Sequence, residues 1–362
     1  MNRTNFEIVI ETLTIKTTRT DHSRLAELDK TNLPFGKYFT DHMFVADYED
    51  GEWKNFAIVP YGPIPMSPAS SVIHYGQTIF EGLKAYRQAD GSVSVFRAGK
   101  NLERMNKSAV RMAMPTLPEE IFMQGLAALI DIDRAWVPDI ENYSLYIRPT
   151  MFATDAFLGV RPSLTYKFMI LMSPSAPYYS KPLKVKIETK YTRSVDGGVG
   201  AAKTAGNYAM AMLPTVKAHE EGFDQLIWTD AKEHKYVEES GAANLMFVVD
   251  GKILTPEVRE TILDGVTRDT VIQLAKSTGY EVEERRVSIH EVLEYAESGR
   301  LTEAFAVGTA ATITQIYEMN YEGKAYPLTD LSTRTVSNGI LAKLNQIRYG
   351  LTADEFGWNW IL

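Results

Sequence analysis

The chain has no cysteine among its 362 residues. That absence excludes disulfides, thiolate catalysis, zinc–thiolate and iron–sulfur sites, and thiol redox switching. Long hydrophobic runs are missing as well: the longest apolar stretches, such as Phe168-Met169-Ile170-Leu171-Met172, are strand-sized, not membrane-sized. Nor is there an excess of positive charge. Lys and Arg number 38 against 46 Asp and Glu, a net charge of −8, so no electrostatic footprint for nucleic acid or an anionic membrane exists. Met1 to Thr20 alternates polar and apolar residues (Phe6, Ile8, Ile10, Leu13, Ile15) without a basic start and an unbroken apolar stretch, which is not a signal-peptide pattern. These absences leave a soluble, cytoplasmic protein with small-molecule partners as the expectation.

What is present is a globular composition, 45% hydrophobic and 23% charged, on a chain long enough for two domains. Strand and helix patterns mix in both halves, so the expected fold class is mixed α/β. Strands are expected at 43–48, 57–60, 144–152, 166–172, 183–191, 225–229, 245–250, 281–287 and 303–307. Helices are expected at 101–114, at 207–221 with a kink or late start at Pro214, at 267–278 and at 337–347, and Thr116-x-x-Glu119 offers a capping box for another. The breaker-rich stretch Ser173 to Pro182 marks the division: an N-terminal domain over 1–174, a linker over 175–182, and a larger domain over 183–362. A substrate site between the two is the usual location.

Lys203 is the residue that calls for chemistry. It sits in Gly197-Gly198-Val199-Gly200-Ala201-Ala202-Lys203-Thr204-Ala205-Gly206-Asn207-Tyr208, flanked by small residues. A desolvated lysine loses pKa and becomes a nucleophile or imine former, whereas a solvated lysine in a glycine-rich turn is the ordinary alternative. Downstream, Glu238-Glu239-Ser240-Gly241-Ala242-Ala243-Asn244 sets acids among small residues before an apolar strand, a place to hold a carboxylate against a pyridinium nitrogen; a surface acid pair is the plain alternative. Asp264-Gly265-Val266-Thr267-Arg268 and Val307-Gly308-Thr309-Ala310 supply turns whose free N–H groups suit a phosphate. Arg97, just before a helix, adds a cation with fork geometry.

Taken together these residues resemble the branched-chain amino-acid aminotransferases, fold-type-IV enzymes dependent on pyridoxal 5'-phosphate (PLP). The resemblance runs from about Phe35 to Trp360 and is carried by GGVGAAKTAGNY (197–208), FTDHMF (39–44), HYGQTIFEGLKAY (74–86), SLYIRP (144–149) and the spaced set Glu239, Asn244, Thr255, Gly265 and Arg268. It implies a two-domain α/β architecture with the site between the domains, and no metal. It implies Lys203 as the lysine bound to PLP and the proton shuttle, Glu239 on the ring nitrogen, and Tyr208 on the ring 3-oxygen. Arg97, Val266, Thr267 and Thr309 match the phosphate grip, and the Ala242 and Ala310 N–H groups the substrate carboxylate. Tyr146 and Arg148, on one face of a strand, match pocket residues, as do Phe35, Tyr75, Phe80 and Tyr178, with Tyr179 an alternative to Tyr178.

The implied reaction is a ping-pong transamination of leucine, isoleucine or valine with 2-oxoglutarate, in which Arg148 receives the glutamate side-chain carboxylate and the aromatic rings accept branched alkyl groups. Leu158 and Val160 match a segment that reaches into a neighbouring subunit's site, so a homodimer is implied. Two positions depart from the family pattern: Met246 stands where an aromatic is usual after Asn-Leu, and Ala311 and Thr314 stand where some members carry a CxxC pair. A D-amino-acid aminotransferase or aminodeoxychorismate lyase on the same scaffold, and a noncatalytic PLP-binding protein, are the competing readings.

Overall fold

The computed structural model describes residues 13–30 and 32–362. The alternation at Phe6, Ile8 and Ile10 lies outside the described residues. Strands are organised into two nine-stranded sheets. The first runs, in spatial order, through Lys16–Thr17, Glu52–Pro60, His42–Glu49, Tyr166–Ser175, Ser144–Ala153, Leu83–Arg87, Val93–Phe96 and Asn359–Ile361, with Thr78–Phe80 pairing onto Ser144–Ala153. Helices Ala98–Arg111 and Glu119–Ile132 pack Leu102, Met105, Ile121, Phe122 and Leu126 into its core with Phe44 and Phe168. The apolar rows meet because helix residues three and four apart share a face.

The second sheet runs through Val237–Ser240, Gln225–Thr229, Leu183–Ile187, Thr312–Tyr321, Leu301–Gly308 and Ala243–Val249, then Lys252–Pro256 and Val282–Arg285, with Lys324–Pro327 pairing onto Thr312–Tyr321. Val237–Ser240 also pairs with Ala243–Val249, so the first six of these strands close into a barrel without free edges between them. Helices Val266–Ser277 and Val336–Arg348 cover one side with Val271, Leu274, Ile340 and Leu344. Among the described residues no helix is long and apolar enough to cross a membrane.

The sheets change over between Ser175 and Leu183, within the breaker-rich stretch. One element disregards the expected division: Asn359–Ile361 returns to the first sheet and pairs antiparallel with Val93–Phe96. Local expectations also needed correction. No capping box forms at Thr116; the helix opens at Glu119 behind Pro118 with no side-chain cap. The capping box that does form is Ser288 with Glu291, at helix Ile289–Glu297. Pro214 lies inside a continuous helix Ala205–Glu220, buried. Strand Thr312–Tyr321, half-buried along much of its length, carried no expectation because its polar residues (Thr314, Gln315, Asn320) interrupt the apolar pattern.

Candidate active site

A chamber of ≈ 220 Å³ lies where the two sheets face each other. Lys203 enters it from the end of the glycine-rich loop, one residue before Thr204, the N-cap of helix Ala205–Glu220. The loop is fastened on three sides. Asn207 Nδ2 donates to Val199 O and Ala202 O (both 2.8 Å), Lys203 N donates to Ser108 Oγ (2.9 Å), and Phe80 N donates to Lys203 O (3.0 Å). Gly200 is required by close approach: a Cβ there would come within 2.7 Å of Ser194 Cβ and 2.8 Å of Thr261 backbone. The amine itself donates to Tyr208 Oη (2.7 Å) and sits 4.8 Å from the centroid of the Phe80 ring.

Glu239 forms another wall. In strand Val237–Ser240 successive side chains alternate, which turns Glu239 into the chamber and Glu238 away toward Ser194 Oγ (3.3 Å). The hairpin turn that follows uses Gly241 at φ 55°, a left-handed conformation suited to glycine, and places Asn244 opposite Glu239. Leu263 N–H (2.9 Å) and Asn244 Nδ2 (3.2 Å) donate to Oε1, while Arg193 Nε lies 2.7 Å from Oε2, off the hydrogen-bond line. Burial pushes the Glu239 carboxyl above its ordinary value, with Arg193 opposing. A buried carboxyl held this way is ready to accept from a protonated ring nitrogen.

The third wall is the N-terminus of helix Val266–Ser277, capped by Gly265, with Val266 and Thr267 in the lining and Thr309 beside them. Free N–H groups and the helix dipole make this the anion end. The cation there is not Arg97. Arg97 stands outside the chamber, its Nη1 2.6 Å from Asp269 Oδ2 and 2.9 Å from Thr270 Oγ1, its guanidinium over Trp358 at 5.4 Å. The lining arginine at this end is Arg104, about two helical turns further on, which donates to Asp264 O (3.0 Å) and is held bidentate by the fully buried Glu81 (2.7 and 2.8 Å). The signal for it was present: Asn101, Arg104 and Ser108 fall at i, i+3 and i+7, a polar row on one side of the Leu102–Met105–Ala109 stripe, and all three are buried.

Arg148 and Tyr146 project side by side from strand Ser144–Ala153 while Leu145 and Ile147 enter the core. Arg148 Nη2 donates to Tyr146 Oη (2.7 Å), the guanidinium lies 4.6 Å over the Phe80 ring, and its Nε has no partner among the described residues. Phe35 packs edge-on against Tyr146 (4.6 Å) and Tyr178 (4.9 Å), and both Tyr178 and Tyr179 line the chamber. Gly82 admits the Tyr146 hydroxyl, which a Cβ would block. Ala242 and Ala310 face in from the two turns. Tyr75 does not join this wall: at the end of the short helix Ser71–Tyr75 it is 44% exposed and hydrogen-bonds Leu158 O. Leu158 (60%) and Val160 (86%) are likewise exposed, outside the chain's own chamber. Met246 is fully buried between sheet and helix, and Thr314 Oγ1 donates to Ala311 O (2.9 Å).

Residues 78–319 match the family described as "Amino-transferase class IV", and the chain belongs to that class; the amine, the buried carboxyl and the helix N-terminus around one chamber accord with it. Within that class the chain belongs to the branched-chain amino acid aminotransferases. It is 47% identical over 335 residues to a probable branched-chain-amino-acid aminotransferase of Staphylococcus aureus (strain MRSA252), covering 91% of this chain and 93% of the relative. It is 46% identical to branched-chain-amino-acid transaminase 1 of Bacillus subtilis (strain 168), covering 91% and 94%. In three dimensions it is similar to the branched-chain amino acid aminotransferase from Escherichia coli, with a TM-score of 0.71, 27% identity, and 88% and 98% of the two chains covered.

Proposed function

We propose that the protein interconverts leucine, isoleucine and valine with their 2-oxo acids, using 2-oxoglutarate and glutamate as the second pair and PLP as cofactor. Branched-chain amino-acid transamination is the activity of its family relatives. The residues fit the cofactor. The chamber is on the scale that holds one substituted aromatic ring, with an amine on one wall, a buried carboxylate on another and a helix N-terminus on a third. When bound, PLP supplies an aldehyde that condenses with amines and a ring that draws electrons from the substrate α-carbon.

Lys203 Nζ holds and moves the proton at the α-carbon, oriented by the Tyr208 hydroxyl. Glu239 keeps a proton on the ring nitrogen, and Arg193 keeps Glu239 in place. Arg104, the Val266 and Thr267 N–H groups and Thr309 hold the phosphate. Ala242 and Ala310 present N–H groups to the substrate α-carboxylate, their methyl side chains leaving the approach open. Phe35, Phe80, Tyr146 and Tyr178 give apolar surface to a branched side chain and exclude water. Arg148, stacked on Phe80 with an unsatisfied Nε, accepts the second carboxylate of 2-oxoglutarate, so one pocket serves both substrates.

A cytoplasmic homodimer completes the proposal: exposed Leu158 and Val160, tied to Tyr75, reach the partner's pocket. The observation that carries the reading is the Lys203 amine held by Tyr208 across the chamber from buried Glu239. The test is cofactor absorbance during addition of L-leucine without any oxo acid. The wild-type band changes, and the change is absent in Lys203→Ala; a Lys203→Ala enzyme that still responds sinks the assignment.

A further inference from the structure

Behind the turn Ala310–Thr312 lies a second cavity of ≈ 290 Å³, separated from the active chamber by Ala310, Ala311, Tyr178 and Tyr179, which line both. Two buried cations face it. Lys84 lies on strand Leu83–Arg87 opposite Tyr146; its amine reaches only Ala310 O at 3.3 Å and Thr312 Oγ1 at 3.5 Å, long contacts for an ammonium. Arg348, 3% exposed on helix Val336–Arg348, lies over the rings of Phe96 (4.8 Å) and Tyr86 (5.7 Å), and its Nε finds no hydrogen-bond partner. Among the described residues no Asp or Glu lines the cavity and neither cation has a carboxylate within ion-pair distance. Lys181 at the rim is already paired with Asp224 (2.8 Å). Buried charges are ordinarily paired, because an uncompensated one is costly.

We propose that this antechamber binds the carboxylate of a small organic acid between Lys84 and Arg348, a second anion site one wall away from the catalytic chamber. The inference rests on the transaminase reading for its choice of a carboxylate as ligand, since both substrates of that reaction are carboxylic acids. Hydroxyl and amide donors of Ser144, Asn142 and Asn345 around the cations complete the surroundings an oxyanion requires. Because Lys84 touches the back of the turn that carries Ala310, an anion that draws the amine away releases that turn. Burial, reinforced by Arg348, lowers the Lys84 amine from its ordinary value to about 7. The other titratable groups facing it are Tyr86, Tyr179 and Tyr349, whose phenols burial pushes up, together with Tyr178, Lys181 and Arg348. Lys84 is therefore the lining group that titrates near neutrality, and bound anion holds it protonated.

Succinate, which has neither amino nor oxo group, is the probe, and calorimetric titration of the PLP-loaded enzyme is the measurement. Wild type is expected to take two equivalents per chain at pH 6, one in the catalytic chamber and one in the antechamber. Arg148→Ala loses the first equivalent, and in that variant the remaining affinity falls at least fivefold between pH 6 and pH 8.5 as Lys84 deprotonates. Lys84→Met loses the second equivalent, and Lys84→Arg restores it without the pH dependence. One equivalent in wild type, or pH-independent binding in Arg148→Ala, overturns the site without reliance on a Lys84 variant. The leucine absorbance test above reports separately: a second succinate equivalent in an enzyme that ignores leucine sinks the transaminase reading and leaves the anion site standing.

Discussion

Glu81→Gln isolates the role of Arg104. Both oxygens of Glu81 are spent on Arg104, at 2.7 and 2.8 Å, and Gly82 N–H adds a bond of 3.1 Å to Oε2. Glu81 is fully buried and Arg104 7% exposed, so removal of the negative partner leaves a guanidinium uncompensated and turns an amide NH₂ toward its N–H groups. Breaking such a buried pair costs about 3–5 kcal/mol. For 362 residues at about 2.1 cal/mol/K each, the unfolding entropy is about 0.76 kcal/mol/K, so Tm of the cofactor-free enzyme falls by about 4–7 °C. With PLP bound, the phosphate next to Arg104 replaces much of the lost negative charge, and the fall is expected to be less than half as large. Scanning calorimetry of wild type and Glu81→Gln, each with and without saturating PLP, reads both values. Equal losses in the two forms would refute the assignment of Arg104 to the phosphate; no loss in the cofactor-free form would refute the energetic argument for the pair.

Other expectations follow from the same geometry. Arg148→Ala slows the 2-oxoglutarate half-reaction by about 10- to 100-fold, the worth of a charge-assisted hydrogen bond, while the leucine half-reaction loses less than tenfold; equal losses in rapid-mixing traces contradict the division between charge and aromatic wall. Gly200→Ala forces a methyl against Ser194 and Thr261, destabilises by about 1–3 kcal/mol, and lowers kcat more than it raises KM, because the Lys203 loop shifts. An unchanged kcat rules out that coupling. Lys84 gives a stability signature of opposite sign to most paired lysines. Its folded value lies below its unfolded one, so between about pH 7 and 10.5 the unfolded chain holds a proton the folded chain lacks, and stability rises with pH through that window. Denaturation midpoints in Lys84→Met lose that rise, and their retention would show that Lys84 is protonated in the fold.

Legibility of the sequence differed by kind of signal. Lys203, Tyr208 and Glu239 were readable because each, ambiguous by itself, falls in a motif of the family resemblance, and the chamber gathers all three. Arg97 drew attention for its place before a helix, yet that same place puts it at φ 55° as N-cap, turned to Asp269 and Trp358. Arg104, in mid-helix, is visible only through the polar i, i+3, i+7 row, which a search for apolar periodicity passes over. Tyr75 was grouped with Phe80 as wall through the family resemblance; the turn at Gly76, φ 63°, sends the two to different surfaces of the chain. The barrel closure was not legible at all, since the Val237–Ser240 to Ala243–Val249 pairing follows from one glycine turn, not from any run of residues. The pairing of Asn359–Ile361 depends on contacts between distant parts of the chain, which no local pattern encodes.

That last strand sets a schedule for biosynthesis. Val93–Phe96 emerges from the ribosome early, but its outer neighbour Asn359–Ile361, the Trp358 carbonyl that accepts from Arg97 N (2.7 Å), and the Val93 carbonyl's donor at Leu362 (2.8 Å) are made only after the barrel strands. Until then the first sheet carries an open edge with apolar Val93 and Val95 beside it, the kind of edge that pairs with other chains. The N-terminal half therefore keeps that edge open while the barrel half is being synthesised, and chains cut before residue 359 are expected to aggregate more readily than the full sequence.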